Sequence, residues 1–128
     1  MTIKELSQLY HLNREIELDE KQLQELRDKL KYYKRHNERE NEARILIHEQ
    51  QELIHIKQKR AYIEQNRLYR FINTVDDSIM RQILTYRFVN GLTWQQVAEC
   101  IGEYDESYVR RKCNAYLKNL PKMSENIQ

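Results

Sequence analysis

At 128 residues, 33% charged, 40% hydrophobic and with a net charge of +2, the chain has room for one or two small units built from amphipathic helices with thin cores. No apolar run approaches the roughly 20 residues of a membrane span. The N-terminus lacks the short hydrophobic core of a secretion signal, so a cytoplasmic protein with no membrane association is expected.

Only two Gly and one Pro occur, and both Gly lie in the C-terminal half, so nothing forces a break before Asn90 and helix is the default. In residues 2–36, Leu9, Ile16, Leu23 and Leu30 recur every seven residues. Leu12, Leu26 and Tyr33 fill most of the positions three later, with Asp19 as the exception. This is a coiled-coil type seam, about 50 Å long at 1.5 Å per residue. Such a seam must pack against something.

Residues 35–42, RHNERENE, contain no apolar side chain. A second stripe then runs through Ala43, Ile47, Ile54, Ala61 and Leu68, with Leu46, Leu53 and Phe71 beside it. Ile47 lies 17 residues after Leu30, two heptads plus three, so the stripes are out of phase. A turn between two antiparallel helices accounts for this better than one continuous rod, although no Gly or Pro excludes an unbroken helix. Each stripe can be covered by the other, by a second chain, or by both. A homodimer or higher oligomer built by this half is expected, because joining two weak sites makes the second contact effectively intramolecular.

Asp76, Asp77 or Ser78 can cap a helix over about 79–89, where Ile79, Ile83, Leu84, Tyr86 and Phe88 supply one wall of a C-terminal core. Arg81 and Arg87 on that helix are within reach of a phosphate or are merely solvated. After the turn-like Asn90-Gly91 pair, Thr93 can cap a helix whose Trp94, Val97, Ala98 and Ile101 share a face. Gly102 suits a left-handed stop and Asp105 a new cap. Val109, Cys113, Tyr116, Leu117 and Leu120 form the buried side of the last helix, and Ser107, Arg110, Arg111, Asn114 and Lys118 its opposite side. Pro121 stops it, and 122–128 read as a frayed tail.

That pattern predicts a helix-turn-helix, in which the first helix lies across the phosphate backbone and the second enters the major groove. Arg110 and Arg111 would then pair with a guanine edge or phosphate, and Asn114 with an adenine edge. Ser107 and Lys118 extend the same face, while Thr93, Gln95 and Gln96 contact phosphate at the start of the first helix. Residues 107–118 hold four positive charges and no acidic one. Glu103, Asp105 and Glu106, at the start of the last helix, favour its dipole and would repel phosphate if they faced it.

The run from Ile79 to Leu120, with YRFVNGLTWQQVAECIG at its centre, resembles region 4 of bacterial sigma factors. It looks closest to phage and prophage regulators of the RinA and ArpU type. The resemblance covers about a third of the chain, and the turn at Glu103-Tyr104-Asp105 is one residue longer than the family pattern. It implies a transcription regulator that binds double-stranded DNA and also touches RNA polymerase.

The expected fold is therefore all-α: a helical hairpin over 1–74, a helix-turn-helix bundle over 75–121 and the tail. The expected function is sequence-specific regulation of transcription by an oligomer. A phage small terminase subunit that recognises packaging DNA and a coiled-coil adaptor that grips RNA polymerase are the alternatives.

Enzymatic chemistry has no visible basis. His11, His36, His48 and His55 never stand four apart, neither Cys100 nor Cys113 has a second Cys nearby, and no glycine-rich phosphate loop or nucleophile elbow occurs. No catalytic residue, metal site or cofactor is expected, and the two cysteines read as reduced, half-buried core residues.

Overall fold

The computed structural model describes residues 1–36 and 39–120. Among them lie five α-helices and no strand: α1 (Ile3–His36), α2 (Glu40–Asn73), α3 (Ser78–Leu84), α4 (Trp94–Ile101) and α5 (Glu106–Lys118). A π-helical turn, Thr85–Val89, directly continues α3. The expected tail and the stop at Pro121 lie outside the described residues. By contact the described residues divide into two compact units, one within 11–62 and a second made of 1–10 with those from 63 onward. The ends of both long helices thus group with the C-terminal helices.

In the unit 11–62, the seam of α1 is buried at Leu12, Ile16 and Leu23, as is that of α2 at Ala43, Ile54 and Ala61. Lys57 of α2 reaches across to Glu15 at 3.0 Å and also to Asp19. Gln50 donates to the Asp19 carbonyl at 3.0 Å and to Gln22 at 3.4 Å. Glu15 and Gln22 are seven residues apart on α1, and their partners Lys57 and Gln50 are seven apart in the reverse sense on α2. The two helices therefore pair antiparallel here. Asp19, the one polar residue on the expected seam, stands there because Lys57 meets it. Both helices run into the polar stretch from either side, so the connection is shorter than 35–42, and Arg39 takes a left-handed φ of 37°.

In the other unit, Leu6, Leu9, Leu68, Ile72 and Val75 join Met80, Ile83, Leu84, Phe88, Val97, Val109, Cys113 and Leu117 in the core. Glu5 and Arg67 pair at 3.6 Å at its edge. Helix α3 packs on both α4 and α5, and α4 on α5. Asp77 caps α3 by accepting from the Met80 N–H at 3.2 Å. That phase buries Met80 and leaves Ile79 48% exposed, so Ile79 is not the core residue its apolar character suggests. The helix expected to run to Val89 instead widens after Leu84. The Asn90 N–H bonds the Thr85 carbonyl at 2.9 Å, five residues back, and one turn holds an extra residue.

Hydrogen bonding to Asp19, then to Glu15, holds the Lys57 ammonium above the ordinary lysine pKa of 10.5. A cation favoured in the folded state stabilises fully below that ordinary value, and its contribution is lost as pH rises through the raised one. Lys57→Met is expected to cost about 1–3 kcal/mol of unfolding free energy, because the half-buried Asp19 carboxylate loses its cation. Adding Asp19→Leu should recover most of that loss by completing an apolar seam. Urea unfolding followed by circular dichroism reads both variants, and a double variant as weak as the single one would show that the seam rejects an apolar pair.

Candidate nucleic-acid interface

The α4–α5 segment is shaped by its caps. Thr93 accepts from the Gln96 N–H at 3.2 Å, while the Gln96 carboxamide oxygen accepts from the Thr93 N–H at 2.9 Å, a reciprocal pair that starts α4. Gly102 ends α4 at φ 78°, where a Cβ would be strained, and the Glu103 N–H reaches back to the Ala98 carbonyl at 2.8 Å. Asp105 then starts α5 by accepting from the Ser107 N–H at 2.9 Å. Ala98 is buried in the middle of α4, and α4 packs against α5.

On α5, Val109, Cys113 and Leu117 face inward, whereas Tyr116 and Leu120 are only half-buried. Arg110, Arg111 and Lys118 are exposed, and Ser107 and Asn114 are half-buried on the same side of the helix. Spacings of three and four residues bring these five side chains to one face. None of the three cations makes an ion pair among the described residues. Thr93, Gln95 and Gln96 are exposed on α4, two of them already occupied by the capping pair.

Gln95 has other neighbours. It lines an open cleft of about 440 Å³ with Ala98, Glu99, Glu103, Tyr104 and Glu106. Three carboxylates in one depression repel phosphate, so Gln95 is the least suited of the eight residues to that contact. Tyr104, in the turn between α4 and α5, stands fully in solvent at the cleft's margin.

The two arginines of the preceding segment are committed within the fold. Arg81 donates to the carbonyls of Val75 and Asp76 at 2.6 and 2.9 Å. Arg87 donates to the Leu92 carbonyl at 2.9 Å and lies 4.7 Å from the Trp94 ring centre and 6.0 Å from that of Tyr10. Tyr10 also packs on Gly91, which takes a left-handed φ of 70° and whose added Cβ would stand 3.5 Å from the Tyr10 ring. Arg87 thus fastens the turn from which α4 begins. An Arg seven residues before a Trp is a faint signal of this, but Tyr10 arrives from the far end of the sequence.

The cysteines differ in a way their spacing does not reveal, and the expectation that both are half-buried is corrected. Cys113 is fully buried and Cys100 is exposed. Burial pushes the Cys113 thiol up to about 11, against the pull of the Arg87 charge. The Tyr116 hydroxyl is likewise raised, first by burial and then by the carboxylates of Asp76 and Asp77. Comparison of the chain with protein-family models, with curated proteins and with solved structures returns no match.

Arg87→Gln is expected to cost about 1–3 kcal/mol through the lost ring contacts and the weakened hold on the Leu92 carbonyl, read as a shift in thermal unfolding. In the native protein at pH 8, a thiol reagent such as Ellman's should titrate Cys100 alone. Cys113 should react only after denaturation, since the thiolate is the reactive form. Two fast equivalents would contradict the burial of Cys113.

Proposed function

We propose that this chain is a sequence-specific regulator of transcription that binds double-stranded DNA through α5, working as a helix-turn-helix in a cytoplasmic oligomer. The observation that carries the reading is the contrast among arginines. Arg81 and Arg87 are tied to carbonyls and rings, whereas Arg110 and Arg111 stand exposed and, among the described residues, without an ion pair on a helix face that bears no acid between 107 and 118. Guanidinium groups held this way suit bidentate contact with guanine or phosphate, and the neighbouring Asn114 suits adenine. Ser107 and Lys118, with the backbone at the Thr93 start of α4, supply phosphate contacts that set the register. The likeness of 79–120 to sigma factor region 4 adds a phage or prophage setting and a contact with RNA polymerase.

One observation favours a protein-binding adaptor as a second reading. The cleft formed by Gln95, Glu99, Glu103, Tyr104 and Glu106 suits a basic segment of a protein partner better than it suits DNA. These carboxylates also limit affinity for DNA, so binding through α5 alone is modest and strongly dependent on salt.

Arg110→Ala combined with Arg111→Ala should abolish the anisotropy change of labelled genomic DNA fragments at low salt, with the circular dichroism spectrum unchanged. Loss of wild-type binding as salt rises is expected from counterion release. Equal affinity of wild type and double variant would remove α5 as the reading helix. Absence of binding at any salt would favour the adaptor.

A further inference from the structure

Pairing with α1 leaves one face of α2 uncovered. Leu46, Leu53, Ile56 and Ile63 are 49, 41, 56 and 64% exposed. With Glu49 and Arg60, also exposed, they occupy alternate steps of three and four along a single helix. This is a second heptad seam, about 100° around α2 from the one that faces α1. A solvated helix surface has no need of such spacing.

The geometry points to a second copy of this chain as the occupant, with α2 pairing antiparallel to its twin about a two-fold axis between Leu53 and Ile56. A two-fold interface presents the same patch on both sides, so every residue of the seam must suit its own mate. In this register Leu46 meets Ile63 of the twin and Leu53 meets Ile56. The two polar residues meet each other, Glu49 against Arg60, and this happens twice. On the flank Glu52 faces Lys59, again with opposite charge. Glu49, Glu52, Lys59 and Arg60 make no ion pair among the described residues. One register therefore satisfies both the apolar and the charged positions. A membrane surface offers no mate for the alternating signs of this face. The inference gives the oligomer of the proposed regulator its interface and does not depend on DNA binding.

Reversing charges tests the register. Light scattering and sedimentation equilibrium on the full chain without DNA should show a concentration-dependent dimer. Glu49→Arg alone sets Arg against Arg, and Arg60→Glu alone sets Glu against Glu. Each should weaken the dimer by about tenfold or more. The two changes in one chain, or the two single variants mixed, should restore it. Glu49 and Arg60 stand about 16 Å apart along one helix, so the rescue can come only from another chain. Leu53→Glu with Ile56→Glu should give a monomer whose helical content is unchanged, because both positions are exposed. A monomer at every concentration would assign the face to a different partner and overturn the proposal. So would a dimer indifferent to the reversals, or one weakened by both and not restored. Any of these outcomes would leave the DNA-binding result of Arg110 and Arg111 standing as a separate finding.

Discussion

The C-terminal unit depends on how one cation is held. Arg87 sits on a turn with one residue too many for an α-helix, which carries its side chain toward the Asn90–Leu92 connection. There the guanidinium donates to a carbonyl that α4 cannot use, and lies against Trp94 on one element and Tyr10 on another. Its charge also reaches the buried thiol of Cys113 on α5. A single side chain thus links α1, the π-helical turn and the start of α4.

The features legible in the sequence are those whose chemistry is local. Thr93, Gly102 and Asp105 announce helix ends because a cap needs only its own backbone neighbours, and the structure uses all three. The seam of α1 is equally legible, since a seven-residue repeat is a property of one helix. Asp19 looked like a flaw in that repeat, because its explanation lies 38 residues away at Lys57. The π-helical turn leaves no mark in the sequence, as Thr85, Tyr86 and Phe88 are as compatible with an ordinary helix. Arg81 and Arg87 read as solvent-facing for the same reason: their acceptors are carbonyls and rings that only the tertiary fold brings near.

The candidate interface is legible as a face and not as a set of contacts. Spacing alone groups Ser107, Arg110, Arg111, Asn114 and Lys118 on α5. Spacing does not disclose that Gln95 faces three carboxylates, whereas the cap that occupies Gln96 is written in the three-residue step from Thr93. Leu46 and Leu53 show the same limit from the apolar side. They look like an accompaniment to the buried stripe, yet the phase of α2 turns them outward.

The ion pair in the hairpin also bears on fidelity of assembly. A heptad seam is nearly periodic, so sliding α2 along α1 by seven residues would preserve most apolar contacts. Slippage one way would bring Glu64 opposite Asp19, and slippage the other way would bring Gln50, an uncharged amide. Neither supplies the cation that a half-buried carboxylate requires. Asp19 and Lys57 therefore act as a key cut for one alignment, and incorrectly zipped hairpins are disfavoured.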